Sequence, residues 1–436
     1  MRVIGSFAVD DIDKFKQQLL RWSTQFTHVV WLDSNSHKDN YSSFDALLAA
    51  DAESYSLAEA QGGFTQLEAY KNRVNDWIFG YLTYDLKNDL EALTSKNFDG
   101  LQFPSLCFFQ PKRLILLKGN TVIFQYLKDD TIEIVRDFKA ICGIEVMDTQ
   151  PNKKKQPAKA IKIKLRIFKE EYFKRVEKIL AHIHRGDIYE LTFCQEFYAE
   201  NTAIDPLKTF KKLNAISQTP MASYVKINQH FVLCASPERY LKKKHDLVLS
   251  QPIKGTARRS DNLMQDRIMK RTLESDLKER TENIMIVDLV RHDFSKSALK
   301  GSVKVDELCT VRTYKQVHQM VSTVSAIVSP QINPIDILKH TFPMGSMTGA
   351  PKISAMQIIE AQESFKRGLY SGAIGYFSPE GDFDFNVVIR SILYNAATKY
   401  VSFSVGSAIT AMASPEKEYE ECLLKAKAMR EVLENE

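Results

Sequence analysis

The sequence predicts an α+β fold, and three observations carry that prediction. Strand-like runs outnumber helical ones along most of the chain. Long helical stretches stand between groups of strands instead of alternating with them one by one. No self-similarity with a period of 20–50 residues is present, which removes solenoids and propellers. At 436 residues the chain is long enough for one large domain or two ordinary ones. Its hydrophobic content of 44% and charged content of 26% are those of a globular chain with a sizeable core.

Reading forward, residues 77–84 (WIFGYLTY) form a buried strand, and 113–127 form a hairpin of two β-rich runs around Lys118-Gly119-Asn120. The clearest break in composition is 148–164 (DTQPNKKKQPAKAIKIK), where two prolines flank the triplet Lys153, Lys154 and Lys155. That is the composition of a solvated linker. The chain therefore divides into an amino-terminal region 1–150, a linker 151–164 and a carboxy-terminal region 165–436. Beyond the linker, 169–184 is an amphipathic helix with Phe173, Val176, Ile179 and Leu180 on one side. Strands are expected at 188–198, 223–233 and 247–253, and one long helix over 267–290. Further strands fall at 372–377, 385–394 and 400–405, with helices starting at Pro351 and near Ser414.

The formal charge of +5 is a mild basic excess. It suits a small anionic substrate, and no groove-reading motif accompanies it, so a nucleic-acid partner is not expected. The start MRVIGSFAVDDIDKF lacks the apolar core of a signal peptide. No window approaches the roughly 18 apolar residues of a membrane span. A cytoplasmic protein without a membrane partner is expected. Six cysteines stand at 107, 142, 194, 234, 309 and 422 with no CxxC among them, which suggests reduced, mostly buried thiols. None sits in a Gly-x-Cys-x-Gly turn, so no built-in amidotransferase nucleophile is visible.

Several residues could carry chemistry, each with a plainer reading beside it. Glu279 and Glu282 are three apart, on one face of a helix, and Glu418 and Glu421 repeat that spacing with Lys425 one turn further on. Facing each other, two such pairs make a site for a hard cation with oxygen ligands; singly they are solvated helix faces. The run 342–352 (FPMGSMTGAPK) is a glycine-rich turn leading into a helix, where free N–H groups attract an anion, or simply a structural turn. It lacks the Gly-Lys-Ser/Thr ending of a P-loop. Lys254, in Pro252-Ile253-Lys254-Gly255-Thr256, is either a surface lysine or an amine kept neutral, and so nucleophilic, by apolar neighbours. Glu238 is a general acid if buried. His318 lies in an apolar stretch, where a core histidine is the plain alternative. Arg390 closes a buried run and needs a carboxylate partner.

Taken in order, SPERY at 236–240, PIKGT at 252–256, ERTENIMIVDLVRHD at 279–293, FPMGSMTGAPK at 342–352, GAIGYF at 372–377 and VIRS at 388–391 resemble the chorismate-binding enzyme family. That family includes component I of anthranilate synthase and of aminodeoxychorismate synthase, and the isochorismate and salicylate synthases. The resemblance covers about residues 165–435 and, more weakly, the first 150. It implies a large two-sheet β-sandwich covered by helices, with strands from both regions sharing it. It also implies magnesium on Glu282 and Glu421, supported by Glu279 and Glu418, holding the ring carboxylate of chorismate. Arg390 and Tyr370 would bind the enolpyruvyl carboxylate, helped by backbone amides near Gly406, while Gly255, Thr256 and Lys425 complete the substrate-binding set. Glu238 would protonate the departing C4 hydroxyl, and His318 and Ser346 would line the ring.

The branch within the family follows from chemistry. Anthranilate synthases usually have alanine in the third place of PIxGT, and aminodeoxychorismate synthases have lysine; here it is Lys254. A lysine that adds first at C2 and is then displaced by ammonia allows two transposed substitutions, so nitrogen ends at C4 with retention. The branch that uses water takes a base lysine from the strand matching Tyr189-Glu190-Leu191, where this chain has Glu190 and the amine-forming branch commonly has glutamine. The expected reaction is chorismate plus ammonia to 4-amino-4-deoxychorismate, for p-aminobenzoate and folate, with ammonia from a separate glutamine amidotransferase subunit. Anthranilate synthase component I is the alternative. Two departures stand out: Gly406-Ser407-Ala408 replaces the usual Gly-x-Gly, and Glu190 adds a carboxylate beside a dianionic substrate.

Overall fold

Alternation of side chains along the strands divides the interior into two apolar cores. In the strand Ala46–Ala58, Leu47 and Ala49 enter one core while Leu48 and Ala50 enter the other. The strand His28–Asp33 does the same, sending Val30 one way and Val29 and Trp31 the other. Strands that are apolar on both faces must be covered on both. Helices supply part of that cover. Lys169–Arg185 and Pro415–Glu434 pack together on the strand Tyr400–Thr410, and Leu277–Ser295 lies across Val317–Ile327.

The computed structural model describes residues 2–58, 61–127, 131–146, 161–315 and 317–435. Among these, twenty strands hydrogen-bond into one continuous network with eleven α-helices around it, an α+β architecture. The expected two layers are therefore joined through hydrogen-bonded edges. Strands before residue 150 bond to strands after residue 160: Ile78–Leu82 pairs with Ala373–Phe377, and His28–Asp33 with Met221–Ile227. Most of the expected linker, including the lysine triplet, lies outside the described residues; its end, Lys164–Leu165, already pairs with the strand Glu190–Ala199. All six cysteines are free, and all but Cys142 are buried. Among the described residues no helix is long and apolar enough to cross a membrane.

Three elements differ from expectation, each for a local reason. The run 223–233 is a hairpin, Met221–Ile227 with His230–Ser236, turning at Asn228 in the left-handed region (φ 53°). The long helix over 267–290 is two, Leu263–Ser275 and Leu277–Ser295, because Asp276 takes an extended conformation and its carboxylate caps the second by accepting from the Glu279 N–H at 3.0 Å. The run 385–394 is broken between Phe383–Asn386 and Ser391–Asn395, with Arg390 in the break at φ 53°. Val387 and Val388 stay buried through that break, so the hydrophobic pattern does not show it.

Candidate active site

The strand Ile253–Arg258 pairs with Val317–Ile327, and its register shifts between Ile253 and Thr256. A bulge at that point re-aims a side chain. Gly255 makes it possible with φ +90°, and a Cβ there would lie 3.0 Å from Glu279 Oε2 and 3.3 Å from Met320 Cβ. Lys254 thereby faces a cleft that is partly open to solvent. Its Nζ donates to Thr192 Oγ1 at 3.4 Å.

Twelve of the fourteen expected residues line this one cleft: Lys254, Gly255, Thr256, Glu238, Ser346, Tyr370, Arg390, Gly406, Lys425, Glu279, Glu282 and Glu421. Glu238 enters from the turn that follows His230–Ser236, and is only 3% exposed. Ser346, held on the short helical turn Gly345–Met347, donates to its Oε1 at 2.6 Å. Burial pushes the Glu238 carboxyl up to about 7, against the opposing pull of Ser346 and Lys254. A carboxyl in that range is protonated near neutrality and can act as an acid. Arg390 forms no ion pair among the described residues, and burial draws its guanidinium below the ordinary value. An unpaired half-buried guanidinium calls for an anion. Lys425 donates to the Gly406 carbonyl at 2.8 Å and pairs with Glu421 at 2.5 Å. Gly406 is required by close strand packing, since a Cβ would fall 2.7 Å from Cys194 Sγ.

On and behind the opposite wall four glutamates gather from two helices. Burial pushes Glu279 up to about 7, reinforced by the charges of Glu282 and Glu421. Burial also raises Glu282 and Glu418, with Glu421 adding to both. Burial would raise Glu421 too, but Lys425 outweighs it and the carboxyl ends below its ordinary value. Lys278 stands between two of them, 3.1 Å from Glu418 and 3.7 Å from Glu282. Glu282 Oε1 and Glu418 Oε2 are buried without a hydrogen-bond partner. Crowded carboxylates have the donor chemistry of a hard divalent cation such as magnesium. Among the described residues, no three acidic, histidine or cysteine side chains already stand in ligating positions.

Two expected residues stand elsewhere. Glu418 does not line the cleft; it lies behind it, 1% exposed, on Lys278. His318 is also outside the lining: its Nε2 meets Asp266 Oδ1 at 3.0 Å and its Nδ1 meets Thr313 Oγ1 at 3.0 Å. Side chains alternate along a strand, so His318 turns away and its neighbour Gln319 faces the cleft, with a buried, unpartnered Oε1. The helix after the glycine-rich turn starts one residue later than expected. Pro351 is the cap, the helix begins at Lys352, and Lys352 turns inward onto Asp293 at 2.5 Å. Sequence reasoning missed Gln319 and Thr192; Gln319 comes to the cleft through its register opposite Thr256, which periodicity alone does not set.

Comparison with known proteins decides the family. The pattern described as chorismate binding enzyme matches residues 16–431. The chain belongs to that family. This chorismate binding enzyme is 36% identical over 265 residues to aminodeoxychorismate synthase component 1 of Salmonella typhimurium, covering 61% of this chain and 58% of that one. It is 31% identical over 359 residues to an anthranilate synthase component I-like protein of Synechocystis, covering 82% of this chain and 72% of that one. It spans 28% to 58% of the length of the first aminodeoxychorismate synthases it matches. Among solved structures, anthranilate synthase component I from Streptococcus pneumoniae superposes with a TM-score of 0.76 at 24% identity, over 91% of this chain and 94% of that one, a likeness of fold. The cleft sets the cationic side chains of Lys254, Arg390 and Lys425 along its lining.

Proposed function

We propose that this chain aminates chorismate at C4 to give 4-amino-4-deoxychorismate, for p-aminobenzoate and folate synthesis, with Lys254 as a covalent nucleophile. The observation that carries the reading is one cleft in which an amine on a bulge, Lys254, and a carboxyl held near 7, Glu238, face the same space. Lys254 adds at C2 while Glu238 gives its proton to the departing C4 hydroxyl, which leaves as water. Ammonia then adds at C4 as the bond from Lys254 to C2 breaks. Glu238 recovers a proton from the new ammonium group, and product leaves as the amine. Arg390, with Tyr370 beside it, holds one carboxylate of the substrate. Magnesium, bound by Glu282 and Glu421 with Glu279 and Glu418 in support, would supply the positive charge for the other.

The Salmonella relative is named as a component 1, which supports ammonia delivery by a separate glutamine amidotransferase subunit. Chromatography of the products formed from chorismate, ammonium and magnesium tests the reading. Aminodeoxychorismate is the expected product, and no turnover at all would refute the enzyme assignment. The Synechocystis relative's name favours a second reading, anthranilate synthase, for which anthranilate alone would appear.

A further inference from the structure

The chemistry above leaves one buried hydroxyl of the cleft without a task. Thr192, on the strand Glu190–Ala199, lines the cleft and is 6% exposed. Its Oγ1 donates to the Ser346 carbonyl at 3.1 Å and accepts from Lys254 Nζ at 3.4 Å. A threonine hydroxyl carries one proton and two lone pairs. With the proton committed to Ser346, the oxygen can only accept from the amine. That fixes the direction of one N–H of Lys254 and leaves the rest of the amine facing the cleft. The bulge at Gly255 re-aims the backbone, but a lysine side chain ends on a flexible four-carbon stem. Its free end needs a hold of its own, and the hydrogen bond to Thr192 supplies it.

Thr192 is itself held from three sides. Its N–H donates to the Thr348 carbonyl at 2.7 Å, and its own carbonyl accepts from Arg367 Nη2 at 2.9 Å. Arg367, 3% exposed, also donates through Nη1 to the Met347 carbonyl at 2.7 Å and pairs with Glu363 at 2.6 Å. Glu363 in turn accepts from the Cys194 N–H at 2.9 Å. The strand Glu190–Ala199 and the turn Gly345–Met347 are thus fastened together at Thr192. Ser346, on that turn, donates to Glu238 at 2.6 Å. A path of short contacts therefore runs from the amine of Lys254 through Thr192 and Ser346 to the carboxyl of Glu238. Buried polar networks whose members satisfy one another hold side chains in fixed geometry.

We propose that Thr192 is a positioning residue, whose Oγ1 aims the Lys254 amine at the substrate and keeps it in register with Glu238 through Ser346. The inference rests on the reading of Lys254 as nucleophile. Thr192 makes and breaks no covalent bond. It serves the step in which the bond from Lys254 to C2 forms as the C4–O bond breaks, with the Glu238 proton leaving in water. Nucleophile and acid act on the same ring in that one step, so both must be placed at once. A displacement of about 1 Å in either is enough to cost about 100-fold in rate.

The test compares the full chain with Thr192→Val, which keeps shape and loses the hydroxyl, and Thr192→Ser, which keeps the hydroxyl, using chorismate, ammonium and magnesium across a pH range. Thr192→Val should lose about 100-fold in kcat, the scale of a misplaced reacting group, with the chorismate KM unchanged. Thr192→Ser should retain most of the rate. Ser346→Ala separates the two ends of the path, because it removes the bond to Glu238 alone. That bond draws the Glu238 carboxyl down toward about 7, so its loss should move the falling limb of the rate to higher pH. Thr192→Val acts on the amine and should leave that limb at about 7. An unchanged kcat in Thr192→Val, an equal loss in Thr192→Ser, a loss carried by KM, or a limb displaced as in Ser346→Ala would overturn the assignment. A wild-type chain that makes no aminodeoxychorismate refutes the function itself, whereas an active wild type matched by an equally active Thr192→Val refutes only the role of Thr192.

Discussion

Two clefts open beside the sheet, one around Lys254 and one walled by Asp33, Asp45, Arg239 and Asp384. Both hold several charged groups. In the second, each charge is answered from within the protein. Arg239 meets Asp39, and also Asp384 at 2.9 Å; Lys242 meets Asp384 at 2.9 Å; Asp33 meets Lys16 at 2.8 Å; Asp45 accepts from the Gly119 N–H at 2.6 Å. Around Lys254 the balance is left open. Among the described residues Arg390 has no ion pair, and Glu190 and Gln319 each keep a buried oxygen without a hydrogen-bond partner. Buried polar groups left unsatisfied are costly, so a structure that keeps several in one place is prepared for something that satisfies them. The same kind of residue is thus structural in one cleft and chemical in the other, and the pairing tells them apart.

Substitutions can break or sharpen that contrast. The largest effect belongs to Lys254→Ala, which should reduce amination to the uncatalysed background; normal turnover in that variant would end the covalent route. Glu238→Gln comes next, with a loss of roughly 10²–10⁴-fold in kcat. In the wild type, burial keeps Glu238 protonated up to about 7. Its acid role therefore predicts a rate that falls as pH rises through about 7, a limb that the variant should lack. Glu418→Gln, behind the cleft, should raise the magnesium concentration for half-maximal activity by about 10–100-fold, as loss of an outer-shell partner does. A magnesium titration that does not move would remove Glu418 from the metal's support. The smallest effect on activity is expected in the paired cleft. Asp384→Ala strands Lys242 and should cost about 3–5 kcal/mol of folding stability, read from denaturant unfolding, while kcat per folded molecule stays level.

Much of this contrast was legible before any coordinates, and the remainder has physical reasons. Motif order was enough to bring Lys254, Glu238, Arg390 and the glutamates to one place, because each sits in a distinctive local run. The spacing of Glu279 from Glu282 survives the helix break at 276, since both lie beyond the cap. His318 and Gln319 show the limit. Periodicity says that one of two neighbours faces the cleft but not which one, and only the register against Ala257 and Thr256 decides it. The environment of Lys254 shows another. Its apolar neighbours in sequence suggested a dry site, whereas the acidic groups that surround it come from the strand Glu190–Ala199, the SPERY turn and two helices, all remote along the chain. The break at 387–390 was invisible because its valines remain buried.

The account stands on Lys254 forming a bond to substrate. Mass spectrometry of the full chain, mixed with chorismate and magnesium without ammonium and quenched, reads that directly. The account predicts that the peptide bearing Lys254 gains the mass of chorismate less one water, and that added ammonium discharges it. An unmodified peptide under conditions that support turnover would contradict it.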